Sequence, residues 1–248
     1  MDYFTDVADE RLGFADLVDT LTPQQLATPS LCDGWTVHDI AAHLVVPLVT
    51  GMGTVVREMA KARGNFDRAN MAMTRSVARK SPAELSGLLR RHAGSHFTPP
   101  GLGSVAPLAD AIVHGQDARR PLGIVRDIPA ARQLAILDFQ VSPLAGRGFV
   151  PKGRAAGLRF AASDLDWSHG DGPLVEGKAE ALMMALSGRR VALSDLSGDG
   201  VRTLGVPPLR RERRSLTSRA PATGSASPRR TGRGRGRRRT GGRGVRAR

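Results

Sequence analysis

Two histidines and one carboxylate stand where helical spacing lets their side chains meet. Asp110 and His114 are four residues apart, so on a helix they lie on one face, one turn apart. His43 belongs to a separate apolar segment, three residues after Ile40, and this spacing turns its side chain toward the interior. Two imidazoles and one carboxylate suit zinc or another divalent transition metal. Three protein ligands leave coordination positions open, as catalytic metal sites do.

Each part of this pattern also has an ordinary explanation. A histidine on an inward helix face is often a core residue, and an aspartate four residues before a histidine often forms an intrahelical hydrogen bond on a solvated face. His92 and His96 are also four residues apart and form a rival metal pair, although their segment is polar and is typical of a helix end. The spacing alone leaves these alternatives open.

The helix that carries His43 has clear start signals. Thr36 is a suitable N-cap, and Asp39 stands three residues on, where a capping box places its acidic residue. This helix is expected to run from about Val37 towards Arg63, with a kink or break at Pro47.

The spacing of apolar residues and the helix-cap signals predict that the first 145 residues are almost entirely helical. Residues 65–79 have little apolar content beyond their methionines and carry no such signal. A helix bundle is the economical way to bury the apolar stripes. Further helices are predicted at about 5–20, from 81, from 104 to about 119, and from 127.

The pattern changes after the predicted bundle. Residues 144–156 are rich in Gly, Pro, Arg and Lys and are typical of a linker. Residues 157–163 alternate like a half-buried strand, 174–177 predict a second strand, and 178–186 predict a helix. The predicted fold class is therefore α+β: a mainly helical N-terminal four-helix bundle, then a small α/β domain, then a basic tail. The predicted domains are residues 1–145, 156–209 and 210–248.

The charge of the chain is concentrated at its end. Residues 210–248 contain 15 arginines and one acid, Glu212, which accounts for the whole formal charge of +14, while 22 basic and 22 acidic residues balance in 1–209. The composition of this tail cannot bury a core and predicts disorder. Its run Arg233–Arg239 could bind nucleic acid through phosphates, non-specifically because the tail has no aromatic residue to stack on bases. A reading-frame change in a GC-rich gene is the alternative origin of such a tail, and it is the one we prefer.

Other features bear on the compartment. Cys32 is the single cysteine, so no internal disulfide can form. The N-terminus lacks a basic segment followed by an apolar core, and no apolar run approaches the length of a membrane span. The sequence predicts a cytoplasmic protein with no membrane partner.

Two motifs and a C-terminal segment resemble one family. The motif Pro29-Ser-Leu-Cys-Asp-Gly-Trp-Thr-Val-His-Asp-Ile-Ala-Ala-His43-Leu and the motif Asp110-Ala-Ile-Val-His114-Gly-Gln-Asp are similar to those of mycothiol-dependent maleylpyruvate isomerases. The segment from Gly157 to Pro173 is similar to the second domain of that family. The resemblance covers residues 1–209 and implies a DinB-like four-helix bundle followed by a small α/β domain.

The resemblance also implies a metal site and its chemistry. The family's ligands correspond to His43, Asp110 and His114, but the family has Glu where this chain has Asp110. The implied cofactors are Zn²⁺ or another divalent metal and mycothiol, whose thiolate could add to an electron-poor double bond of a small substrate. An anionic substrate needs a nearby cation, and Arg189 or Arg190 is the candidate contact, with Arg189 taken as the tentative choice. The alternative is a solvated surface arginine. Asp117 is a partner of the site, a substitute ligand or a surface helix residue.

Three functions follow as hypotheses. The first is a metal-dependent, mycothiol-using isomerase or thiol transferase acting on a small electrophile. The second is a metal-binding but non-catalytic relative, motivated by the shorter carboxylate at Asp110. The third is non-specific nucleic-acid binding by residues 210–248.

Overall fold

The computed structural model describes residues 2–205, which form helices and one small sheet. The α-helices are α1 (Phe4–Thr20), α2 (Pro23–Leu26), α3 (Val37–Val49), α4 (Met52–Lys61), α5 (Phe66–Val77), α6 (Pro82–Arg91), α7 (Val105–Arg119), α8 (Ala130–Val141), α9 (Ala179–Leu186) and α10 (Gly200–Gly205). The strands are β1 (Arg159–Ala162), β2 (Ser168–His169), β3 (Leu174–Gly177) and β4 (Leu196–Ser197).

Four helices form the bundle that the sequence predicts. Helix α1 packs against α6 and α7, and α3 packs against the same two helices, so the four close into a ring. Their apolar stripes meet in one core, which includes the fully buried side chains of Phe14, Ile40, Leu85 and Leu89. Burial of these stripes, more than helix propensity, stabilises the bundle. The mainly helical N-terminal region is confirmed.

The helix predicted from residue 37 to about 63 is two helices. Helix α3 continues past Pro47 to Val49, and Thr50 then adopts an extended conformation. Gly51 is the N-cap of α4. Proline has no backbone N–H, so Pro47 weakens the hydrogen bonding of this last turn, and the helix ends two residues later at Val49.

Helix α5 was not predicted because its core residues are not strongly apolar. Ala69, Met73 and Val77 are buried, and their spacing of four residues places them on one face. Alanine and methionine give a weak hydrophobic signal, although both are good helix formers.

The C-terminal part is a small mixed sheet with helices, as predicted. The strand order is β2-β1-β3-β4, in which β1 and β3 are parallel and the two outer strands are antiparallel to their neighbours. Gly170, with φ +79°, follows β2 at a point where a Cβ atom would lie 2.3 Å from the carbonyl oxygen of Leu158. Glycine is therefore required at that turn.

Helix α7 links the two parts of the fold through their cores. Ala118 belongs to the core of the bundle, whereas Leu108 and Ile112 pack with α8, α9 and the sheet. Within the segment predicted as a linker, Ala145 and Val150 are buried in the second core. The small sheet packs on α9, and α9 in turn packs on α8 and α7 of the N-terminal part.

No helix within residues 2–205 is long and apolar enough to span a membrane. The predicted basic tail, 210–248, lies outside the described residues. The predicted division into domains remains a prediction.

Candidate metal centre

The turn before α3 fixes where His43 enters the bundle. Gly34, with φ +75°, allows the tight turn, and the backbone N–H of Trp35 donates to the carbonyl of Cys32 at 3.1 Å. Thr36 and Asp39 then form the predicted capping box, with both reciprocal hydrogen bonds present. This start places His43 on the buried face of α3.

The structure brings the three predicted ligands together. The Oδ1 atom of Asp110 lies 3.5 Å from Nε2 of His43 and 3.5 Å from Nε2 of His114. One ligand atom from each of the three residues lies within 4.8 Å of the others. The Asp110 side chain is 29% exposed, so the cluster has an open side. Asp110 and His114 come from one face of α7, and α3 supplies His43 across the bundle.

These separations are compatible with three side chains that bind a common ion. Hydrogen bonds between nitrogen and oxygen have lengths of about 2.7–3.2 Å, so neither 3.5 Å contact is an ordinary hydrogen bond. In a tetrahedral zinc site with bonds of about 2.1 Å, neighbouring ligand atoms lie about 3.4 Å apart. Asp110 therefore reaches the required position despite being one methylene shorter than glutamate.

His43 gives independent support for a ligand. The residue is buried, and neither Nδ1 nor Nε2 has a hydrogen-bond partner. A buried polar atom without a partner costs about 1–3 kcal/mol, and such atoms are uncommon in native structures. A cation bound by Nε2 would supply the missing partner for that atom.

Trp35 covers the two imidazoles. Its ring centroid lies 4.9 Å from that of His43 and 6.2 Å from that of His114. The half-buried indole thus restricts both rings and keeps bulk water from one side of the cluster.

Asp117 orients His114 from the side opposite Asp110. Nδ1 of His114 lies 2.9 Å from Oδ2 of Asp117, which is fully buried. Burial alone would raise the pKa of Asp117, but hydrogen bonds from His114 and Arg189 hold it well below its ordinary value. The carboxylate is thus an acceptor, Nδ1 carries the proton, and the lone pair of Nε2 faces the ligand cluster. Asp117 is therefore not a surface residue, and its hydrogen bond to Nδ1 of His114 is that of a partner of the site rather than of a substitute ligand.

The charge states of the other two groups on α7 also suit a cation. Burial would raise the pKa of Asp110, but the neighbouring His43 and His114 keep it below its ordinary value. Burial and the adjacent His43 lower the pKa of His114. A charged carboxylate and a neutral imidazole are the forms that coordinate metals.

Arg189 reaches this site from the C-terminal part of the chain. Its Nε and Nη2 atoms donate to Oδ1 and Oδ2 of Asp117, at 2.9 and 2.6 Å. Nη1 donates to the carbonyl of Ser187 at 2.7 Å. Arg189 is therefore half-buried and paired, and the alternative of a solvated surface arginine is not what the structure shows.

Cys32, His114 and Asp117 form a second group with metal-ligand spacing. Sγ of Cys32 lies 3.1 Å from Oδ2 of Asp117, and Nδ1 of His114 lies 2.9 Å from the same oxygen. Both separations are explained by hydrogen bonds, and Arg189 already neutralises the carboxylate. Burial, with Asp117 nearby, raises the pKa of the Cys32 thiol to about 12. This group acts as support for His114.

Sequence reasoning did not find the hydrogen bond from Cys32 to Asp117, which follows from packing of the turn before α3 onto α7. The rival pair lies elsewhere. His96 stacks on Phe4 at a centroid distance of 4.1 Å, and His92 belongs to neither group of possible metal ligands within residues 2–205.

The fold and site together define a helix bundle with a cluster of two histidines and one aspartate between its helices. Residues 7–98 match the family model described as the mycothiol maleylpyruvate isomerase N-terminal domain. Over these residues the chain is therefore similar to that domain. The match contains His43, whereas Asp110 and His114 lie beyond it.

Two solved structures are similar to the chain. They are a mycothiol-dependent maleylpyruvate isomerase and a histidine-to-alanine mutant of that enzyme, each 18% identical to this chain. Each comparison covers 84% of this chain and 98% of the other, with TM-scores of 0.49 and 0.48. Among curated proteins, no match to this chain is found.

Proposed function

We propose that His43, Asp110 and His114 bind a divalent metal, zinc or a similar ion, and that the protein is a mycothiol-using isomerase or thiol transferase. Its substrate is a small electrophile of the maleylpyruvate type. The observation that carries the proposal is the position of Asp110 Oδ1, 3.5 Å from two imidazole nitrogens, one of which is buried without a hydrogen-bond partner. The match of residues 7–98 to the mycothiol maleylpyruvate isomerase N-terminal domain supports the thiol chemistry.

The chain's own residues have distinct roles in this proposal. His43, Asp110 and His114 hold the ion, Asp117 fixes the His114 ring, and Trp35 excludes water from one side. A bound divalent cation supplies positive charge that keeps a thiol deprotonated at neutral pH. Cys32 is not that thiol, because its pKa of about 12 keeps it protonated.

Arg189 is the proposed contact for an anionic substrate. Its five N–H groups include two on Nη1, of which one donates to Ser187. The second Nη1 hydrogen has no partner among the described residues. It is therefore available to a substrate carboxylate, while the pair with Asp117 holds the guanidinium in place.

Metal analysis tests the first half of the proposal. The full chain should bind about one divalent ion, and His43→Ala and Asp110→Asn should each abolish stoichiometric binding. The matched control is His96→Ala, which removes an imidazole outside the cluster. A folded, metal-free protein that takes up no added zinc would reject the metal centre.

Turnover tests the second half. The metal-loaded protein should isomerise maleylpyruvate, or transfer the thiol to a related electrophile, only when mycothiol is present. Binding of metal without thiol-dependent turnover would favour the non-catalytic relative.

The cytoplasmic location is part of the proposal. Nucleic-acid binding by 210–248 concerns residues outside the described part and is tested separately, by deleting the tail.

A further inference from the structure

A pocket that shares no lining residue with the candidate metal centre lies beside the end of α8 and the segment that leads to β1. It is open to solvent and has a volume of about 600 Å³, in the range of small-molecule sites. The polar side chains that line it belong to Gln140, Ser142, Arg147, Lys152, Arg154 and His169.

The lining is basic and contains no carboxylate. Arg147, Lys152, Arg154 and His169 contribute basic groups, and none of them forms an ion pair within residues 2–205. Elsewhere in the fold arginines do find acids. Arg90, Arg120 and Arg132, for example, each bind at least two carboxylates. Since Lys and Arg balance Asp and Glu over 1–209, three Lys or Arg side chains without an acid mark a local departure from the rest of the fold.

The guanidinium of Arg154 is fixed in the pocket lining but is incompletely hydrogen-bonded. Its Nε donates to the carbonyl of Ala185 at 2.6 Å, whereas its buried Nη2 has no hydrogen-bond partner. Burial, and the positive charge of Arg190, lower the pKa of Arg154. A guanidinium that is partly desolvated, close to other cations and incompletely hydrogen-bonded is stabilised by an anion.

Gln140 gives the pocket a fixed polar wall. Its Nε2 donates to the carbonyl of Met183 at 3.1 Å and to Oγ of Ser187 at 2.7 Å, which fixes the amide and leaves its buried Oε1 without a partner. The Gln140 side chain is therefore a fixed part of the pocket lining.

We propose that this pocket binds a small polyanion that carries phosphate or carboxylate groups, held by Arg147, Lys152 and Arg154, with His169 at the rim. The lining supplies several cations within one concave surface, which suits a multiply charged ligand better than a single carboxylate. The inference concerns a site separate from the proposed metal centre and does not depend on it.

The test measures how pyrophosphate and citrate change the melting temperature of the full chain at constant ionic strength. The protein is first dialysed free of metal, because both probes chelate metal ions. A ligand that binds the folded state raises the melting temperature with its concentration. We expect either probe to do so in the parent, and the double variant Arg147→Gln/Lys152→Gln to weaken its apparent affinity about tenfold or more.

The matched control is Arg75→Gln/Arg79→Gln, which removes two exposed arginines without an ion pair in the described part of the chain. All three proteins keep the arginines of 210–248, so a difference between them reports the substituted side chains. The control should bind both probes as the parent does. The probe whose affinity falls in the pocket variant shows whether the ligand carries phosphate or carboxylate groups. No melting shift with either probe, or equal shifts in the parent and the pocket variant, would overturn the proposal.

Discussion

At the scale of residues, the candidate centre depends on how one carboxylate is placed. Asp110 has one methylene fewer than the glutamate that its family resemblance implies, yet its Oδ1 lies 3.5 Å from both imidazoles. Asp117, one turn beyond His114, is fully buried and accepts hydrogen bonds from His114, Arg189 and Cys32. The candidate ligand His114 is therefore oriented by Asp117, which Arg189 and Cys32 hold in place through hydrogen bonds.

Substituting Asp117 should weaken metal binding without removing a ligand. In Asp117→Asn the His114 ring loses its charged acceptor, and we expect zinc affinity to fall about 10–100-fold. Competition with a chromophoric chelator measures the affinity, and circular dichroism checks that the protein stays folded. The control is Asp138→Asn on α8, which removes the carboxylate that accepts a hydrogen bond from the Trp167 indole. It should leave the zinc affinity unchanged. An Asp117→Asn protein with parental affinity would contradict the role of this carboxylate.

Cys32 should react slowly with alkylating reagents in the folded protein. Burial raises the pKa of its thiol to about 12, and only the thiolate reacts, so the reactive fraction at pH 8 is minute. Compared with an unfolded cysteine of pKa about 8.5, iodoacetamide should react roughly a thousandfold more slowly. The rate should rise with pH well above 9 and should become normal in denaturant. Rapid labelling of the native protein at pH 8 would show that the thiol is not held in this way.

At the scale of elements, α1 is tied to the start of α8 by a buried charge cluster. The Glu10 side chain is 1% exposed and pairs with Arg126 and Arg132, while Asp6 and Asp9 bind the same Arg132 from the surface. Removing one partner of a buried pair is costly, because the other charge is left unpaired.

Glu10→Gln should therefore lower the free energy of unfolding by roughly 3 kcal/mol. The matched control Asp9→Asn removes an exposed member of the same cluster and should cost below about 1 kcal/mol. Urea denaturation followed by circular dichroism measures both. Equal losses in the two variants would mean that burial of Glu10 does not decide the strength of the cluster.

At the scale of the whole molecule, the bundle and the sheet share helix α7. One side of α7 belongs to the core of the bundle, and the other packs with α8, α9 and the sheet. A core that continues through a shared helix favours cooperative unfolding of residues 2–205.

The two tryptophans provide a test of this cooperativity. Trp35 reports the bundle and Trp167 reports the region of the sheet. In metal-free Trp35→Phe and Trp167→Phe variants, the remaining tryptophan should give the denaturant midpoint that circular dichroism gives for the same variant. A fluorescence midpoint separated from the circular dichroism midpoint in either variant would show that the two parts unfold independently.

The sequence by itself determined the elements that local patterns encode. The capping box of Thr36 and Asp39, the helix of Asp110 and His114, and the change to short strands after residue 156 all follow from neighbouring residues. Helix α5 was missed because alanine and methionine give little hydrophobic contrast. The end of α3 was not located because Pro47 stays within the helix, which ends only at Val49.

Only the tertiary structure decided which side chains meet. Sequence spacing could place Asp110 near His114, but the distance to His43 depends on how α3 packs on α7. The same packing turned Asp117 into a buried carboxylate and brought Arg189, 72 residues away in the chain, onto it. Such contacts depend on the packing of distant segments, so no local pattern along the chain could have given their distances.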